Sequence, residues 1–113
     1  MKWDIQYFPD ARRDLRELDG SQRILIRKAI ERISGNPLPL SEGGYGKPLG
    51  NKGGANLSGL LKIKLKSAGL RVVYFLRRTE AGMTVVVIGA REGAEVYKVA
   101  QERMKKYRYR MDS

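Results

Sequence analysis

Hydrophobic positions in this chain change period twice, from strand-like to helical and back. From Trp3 to Tyr7 apolar and polar residues alternate, which predicts a short first strand. Phe8-Pro9-Asp10 then predicts a helix start, because Pro fits a first turn and an Asp side chain can cap free amides. Ala11, Leu15 and Leu18 keep helical spacing, while Arg12, Arg13 and Arg16 fall on wetter sides. Asp19-Gly20-Ser21 breaks this helix and leaves Ser21 as the expected cap of a second. The second helix has its apolar stripe at Ile26, Ala29, Ile30 and Ile33, and ends at Gly35 and Pro37. The two are expected to form a hairpin packed on a sheet.

Residues 35–56 hold most of the glycines and three of the four prolines. They read as a long connection within one domain, since each flank alone is too small to build a core. Beyond it, Leu61, Ile63 and Leu65 alternate with Lys62, Lys64 and Lys66, which puts the ammonium groups on one face of a strand. Ser67-Ala68-Gly69 predicts a tight turn. On the return strand, Arg71, Val73 and Phe75 face one way and Val72, Tyr74 and Leu76 the other. After a turn around Thr79 to Gly82, Met83 to Ile88 is nearly all apolar, as a central strand covered on both sides requires. Gly89-Ala90-Arg91-Glu92-Gly93 ends it. A last helix is expected from about Ala94, with Val96, Val99, Ala100 and Arg103 or Met104 on its inner side and a basic tail at 105–113.

The predicted order is β-α-α-β-β-β-α in a single α+β domain spanning 1–113. An antiparallel sheet carries the helical hairpin on one face and is followed by a C-terminal helix. The other face is expected to stay partly open, lined by the basic side chains of the second and third strands.

Composition narrows the chemistry. Lys and Arg number 23 against 12 Asp and Glu, a formal charge of +11, which favours a polyanionic partner and nucleic acid first. The chain has no cysteine and no histidine. That removes disulfides, thiolate metal sites, a cysteine nucleophile and the usual general base, and neither a metal nor a cofactor is expected. No apolar run approaches the roughly 18 residues of a membrane span, and no secretory leader opens the chain, so no membrane partner and a cytoplasmic location are expected.

A candidate anion site lies at Lys62, Lys64 and Lys66 with Arg71 across the turn. Pairing Leu65 with Leu70 would set Lys64 opposite Arg71, an unfavourable like-charge pair unless an anion sits between them. The competing reading is a lysine-rich strand face that only protects a sheet edge, and spacing alone leaves both open. Chemically, a cation cluster can stabilise the charge that builds on a phosphate under attack. A lysine crowded by cations and partly desolvated can also have its pKa lowered enough that its free amine takes a proton from a hydroxyl.

Two blocks resemble the RelE-type toxins of the RelE/ParE superfamily. One runs from Leu61 through the Lys62, Lys64 and Lys66 alternation and Gly69 to Arg71-Val72-Val73-Tyr74. The other is Gly89-Ala90-Arg91-Glu92, followed by Glu95-Val96-Tyr97 on the last helix. The resemblance implies the toxin of a toxin–antitoxin pair, a metal-independent endoribonuclease that cuts mRNA in the ribosomal A site by 2′-hydroxyl attack. It puts functional roles on Lys62, Lys64, Arg71, Arg91 and Tyr97, with Lys66 as an RNA contact. Lys64 and Tyr97 are the implied candidates for activating the 2′-hydroxyl. Arg91 is the implied proton donor, though arginine stays charged far above neutral pH and an electrostatic clamp suits it better. Tyr97 could also be a core aromatic. The helix stripe is already filled by Val96, Val99, Ala100 and Met104, which favours an edge position where Tyr97 can stack on a base. A cognate antitoxin, mRNA and the ribosome with its rRNA are the implied partners. The alternatives are a ParE-type gyrase inhibitor of the same fold without nuclease activity, a non-catalytic RNA-binding module, and an inactivated toxin.

Overall fold

In the computed structural model, which describes residues 2–52, 55–90 and 93–112, the first strand β1 (Asp4–Tyr7) leads into α1 (Pro9–Glu17) and α2 (Gly20–Ile33). Then come β2 (Lys47–Lys52), β3 (Ala55–Leu65), β4 (Leu70–Arg77), β5 (Gly82–Gly89) and α3 (Gly93–Asp112). The strands form one sheet in the order β1-β5-β4-β3-β2. The α+β class and the order of the expected elements hold, and the sheet gains a strand inside the segment read as a long loop.

That strand was hidden because Lys47-Pro48-Leu49-Gly50-Asn51-Lys52 is made mostly of residues that strands avoid. It sits at the sheet edge, where a proline costs no ladder bond. Buried Leu49 anchors it, and a register shift between Pro48 and Gly50, with Gly50 at φ 58°, absorbs the misfit. The sheet is also not wholly antiparallel, because β1 runs parallel to β5. Alternation alone carries no information about strand direction.

Each face of the sheet has its own core. Ala11, Leu15, Ile26, Ile30 and Ile33 of the hairpin pack on Leu61, Leu70, Val72, Tyr74, Met83 and Val85. On the opposite face, Val96 and Ala100 of α3 pack with Leu49, Leu57, Leu60, Val73, Val86 and Val87. The face expected to stay open is therefore covered along much of its length by α3. A register shift between Val73 and Tyr74 opposite Val87 and Val85 leaves Val86 unpaired, so Val86 and Val87 both join the α3 side. The unbroken apolar run of β5 reflects that two-sided burial.

Two caps differ from expectation. Asp19, not Ser21, caps α2: its carboxylate accepts from the Gln22 amide at 2.8 Å, and the Gln22 side chain returns a bond to the Asp19 amide. Ser21 instead donates to the same carboxylate. The backbone amide of Gln22 and this hydroxyl hold the Asp19 carboxyl below its ordinary range. Asp10 lies in the first turn of α1 and does not cap it. The tail predicted at 105–113 is, through Asp112, the continuation of α3.

The connection from α2 to β2 closes on itself through backbone bonds, including Leu40 to Gly46 and Gly46 to Leu38. Arg78 clamps it from outside with donations of 2.9 and 2.6 Å to Glu42, which hold that carboxyl low. Tyr74 secures it from below. Its fully buried hydroxyl donates to the Pro37 carbonyl at 2.7 Å, and burial pushes the phenol far above its ordinary pKa. A Cβ at Gly46 would meet that hydroxyl at 2.4 Å, so only glycine allows the loop to close over it. Tyr74→Phe is expected to lower stability by about 1–3 kcal/mol, because it strands a buried carbonyl. Urea unfolding measures this, and a loss below about 0.5 kcal/mol would mean that water replaces the phenol.

Candidate nucleic-acid interface

The β3–β4 hairpin sets the geometry of the basic side chains. Leu65 pairs with Leu70 and Lys64 with Arg71, in the register the turn predicts. Gly69 makes the turn possible at φ 65°. Lys62 and Lys64 therefore share a face with Arg71, Val73 and Phe75, the face on which α3 lies. Lys64 is exposed, and Lys62 and Arg71 are half-buried.

Tyr97, in the second turn of α3, meets this face. The Lys62 ammonium donates to the Tyr97 hydroxyl at 3.0 Å and lies 5.6 Å from the ring centroid. Tyr97 is half-buried at the edge of the α3 core, where it combines a packing role with a polar contact. Arg91 lies outside the described residues. Gly89, two residues before it, is the strand partner of Arg71, so β5 ends beside this cluster. Lys66 has left the strand: it begins a one-turn 3₁₀ helix over Lys66–Ala68 and is exposed. The lysine alternation therefore stays on one strand face only as far as Lys64.

The structure adds a cation that the sequence reading did not assign. Lys47 is paired directly with Lys62 across β2 and β3. Two like-charge pairs, Lys47–Lys62 and Lys64–Arg71, thus sit side by side on three neighbouring strands. Each such pair is unfavourable by a few tenths of a kcal/mol or more in a free protein. The signal that could have found Lys47 is its strand register, which the surrounding glycines and Pro48 concealed. Among the described residues, no three acidic side chains converge as a metal site would need.

Further side chains hold α3 in place, and of these only Arg103 was expected on its inner side. The Arg103 guanidinium donates to Asp14 at 2.7 Å and to the Val86 carbonyl at 2.9 Å, and lies 3.6 Å from Asp10. Asp14 in turn accepts from the Ile88 amide at 3.0 Å. β1 pairs with β5 only as far as Val85, so Asp14 and Arg103 take up backbone groups that β1 does not reach. Near the end of the helix, Tyr107 stacks on Phe8 at 4.3 Å between ring centres.

No family model matches the chain. A curated Escherichia coli protein described as a RelE-like toxin is 29% identical over 108 residues, covering 93% of this chain and all of the relative. Among solved structures, a free double-arginine mutant of Escherichia coli toxin RelE superposes with a TM-score of 0.72 at 24% identity, over 92% of this chain and 99% of that one. The same toxin bound to a peptide of antitoxin RelB gives 0.66 at 25% identity, over 88% and 95%. The RelBE2 toxin–antitoxin complex of Mycobacterium tuberculosis also gives 0.66, at 20% identity, over 80% and 93%. In fold the chain matches the RelE toxin structures, and in sequence it is similar to the RelE-like toxin.

Arg103→Met is expected to cost about 3–5 kcal/mol in urea unfolding, since it leaves the Asp14 carboxylate, only 14% exposed, without its counter-charge. A double-mutant cycle with Asp14→Asn should return a coupling energy above about 1 kcal/mol. Additive losses would mean that the two side chains act separately.

Proposed function

We propose that this chain is the toxin of a toxin–antitoxin pair and a metal-independent endoribonuclease that cuts mRNA in the ribosomal A site. The observation that carries the reading is the cationic face of β2–β4 with Tyr97 bonded to Lys62 at its border. An RNA phosphodiester laid on that face would relieve the repulsion between the paired cations, and the relief grows as negative charge builds on the pentavalent phosphate.

In this mechanism the ribose 2′-oxygen attacks phosphorus, the bond from phosphorus to the 5′-oxygen breaks, and a 2′,3′-cyclic phosphate and a 5′-hydroxyl result. Lys62, Arg71 and Arg91 hold the phosphate and stabilise the transition state. Lys64 or Tyr97 takes the 2′-proton, and the leaving oxygen collects one from water or a neighbouring cation. Lys62 sits where it orients the Tyr97 hydroxyl. Lys47 and Lys66 contact flanking phosphates, which fix register without reading sequence.

The charge of +11 suits further contacts to rRNA, and the proposed site of action is the cytoplasm, where ribosomes are. Among the described residues, no helix is long and apolar enough to cross a membrane. A cognate antitoxin is the proposed protein partner, in line with the antitoxin-bound structures of its neighbours.

Primer extension in a translating extract tests the proposal. Wild type is expected to cut mRNA at ribosome-bound codons, and naked RNA poorly. Arg71→Ala and Arg91→Ala should each lower the rate by about 10²–10³-fold, the usual loss when one oxyanion-stabilising donor is removed. If both variants cut like wild type, or the products end in 3′-hydroxyls, the mechanism is wrong. Growth arrest without RNA cleavage would favour the ParE-type reading.

A further inference from the structure

Tyr45 is an aromatic side chain left outside on a rigid loop. It is 55% exposed and joins neither apolar core. Among the described residues its hydroxyl makes no hydrogen bond. The backbone beneath it, by contrast, is fixed. The Tyr45 amide donates to the Asn36 carbonyl at 3.1 Å, and the Gly46 amide to the Leu38 carbonyl at 3.0 Å. Gly44 and Gly46 on either side are buried, and a Cβ on Gly44 would strike the Leu38 backbone. Single apolar side chains at a surface are ordinary, so exposure alone assigns nothing. The neighbours of this ring do.

A Cβ on Gly46 would point at the Tyr74 hydroxyl and Leu61, into the core beneath the helical hairpin. Tyr45 and Lys47, on either side of it, turn away from that core and are exposed. Their Cα atoms lie at most about 7 Å apart, the reach of two extended residues. Because β2 runs antiparallel to β3, the step back from Lys47 to Tyr45 leads from the level of Lys62 toward that of Lys64. The ring therefore stands at the border of the cationic face. Leu40, 56% exposed on the same loop, has different company: it shares a 3₁₀ turn with Glu42, whose charge Arg78 cancels. Lys47 has no ion-pair partner among the described residues. Tyr97, at the other border, is half-buried with the Lys62 ammonium 5.6 Å from its ring centroid. Of the two tyrosines, Tyr45 offers the more accessible ring.

We propose that Tyr45 is a base-stacking residue: an unpaired RNA base lies on its ring while Lys47 holds the phosphate of the same nucleotide. An accessible ring beside an unpaired cation is what single-stranded nucleic acid needs, since each nucleotide brings one aromatic face and one negative charge. A protein segment would use the ring but needs carboxylates to match Lys47 and Lys62. Every base has an aromatic face, so this contact selects single-stranded RNA over duplex without choosing a codon. It positions the strand from outside the paired cations and leaves Lys62, Lys64 and Arg71 to the phosphate between them. That the stacked base neighbours a scissile bond rests on the ribonuclease reading; the stacking itself does not.

The test uses the full chain and a short 2′-O-methyl oligonucleotide, which cannot be cut by 2′-hydroxyl attack. The fluorescent base 2-aminopurine is placed at each position in turn. Saturable binding is expected, with quenching at one position by wild type and none there by Tyr45→Leu, which keeps apolar bulk without an aromatic face. Tyr45→Leu should weaken binding by about tenfold or more, and Tyr45→Trp should restore it. Removing the base at the quenched position should weaken wild type equally and cost Tyr45→Leu nothing further. Urea unfolding of Tyr45→Leu should match wild type, because the ring lies outside both cores. In translating extract the variant should raise KM with kcat unchanged, as loss of uniform binding does. Absence of saturable binding, quenching that survives in Tyr45→Leu, or wild-type affinity in that variant would each overturn the proposal. So would a variant that binds RNA normally but escapes its antitoxin, which would assign the ring to a protein contact. Stacking by a protein that cuts no mRNA in extract would sustain Tyr45 and sink the ribonuclease reading. Cleavage with KM unmoved by Tyr45→Leu would do the reverse.

Discussion

Everything on the cationic face depends on how α3 is held, and that is settled by the Asp14–Arg103 pair. β5 has a strand neighbour on its outer side only through Val85. Past that point the Ile88 amide and the Val86 carbonyl would be bare, and Asp14 and Arg103 bond to them. The same two side chains then bond to each other across α1 and α3. Apolar packing of Val96 and Ala100 gives α3 its adhesion, roughly 2 kcal/mol for a buried valine, but such packing tolerates rotation and sliding. An ion pair tied to two backbone groups does not. It fixes the helix about its axis, and Tyr97, less than two turns before Arg103, consequently meets Lys62. An apolar pair of the same volume could match its stability without setting that angle.

The face so positioned concentrates like charge. Lys47 opposes Lys62 and Lys64 opposes Arg71 on adjacent ladders. Contact with the Tyr97 hydroxyl offsets part of the strain at Lys62, and solvent screens the exposed Lys64. The remainder is tolerable because the two apolar layers on either side of the sheet are large. A chain optimised for stability alone would place a carboxylate in one of these four positions, and concentrated like charge is a common signature of a site shaped for a ligand.

Much of this was legible in the residues. Strand alternation and one glycine turn fixed Lys64 against Arg71, because a one-residue slip would have turned Leu61, Ile63 and Leu65 to the wrong face. The stripes of α1 and α2 and the unbroken apolar run of β5 were equally plain. What escaped was non-local. Leu49 becomes a core residue and Lys47 a neighbour of Lys62 only when β3 supplies a template for β2. The parallel placement of β1, and the bond between Asp14 on α1 and Arg103 on α3, join residues whose local patterns say nothing of each other. At Asp19 and Ser21 two good capping residues compete two positions apart, and spacing to Gln22 decides for Asp19.

The two readings of the lysine-rich strand, edge protection and anion binding, concern different sides of the same residues. Up to Lys62, β3 is covered by β2 and needs no protection, so a cation there is explained by what lies on the face, Tyr97 and the neighbouring Lys47. Past Lys62 the edge is bare, and an uncharged Ile63–Leu65 stretch would invite pairing with a second copy of the chain. Lys64, with Lys28 and Arg32 on the adjoining α2, makes that pairing repulsive for this chain, which is itself strongly cationic. Lys64 thus stands at the point where that edge meets the cationic face.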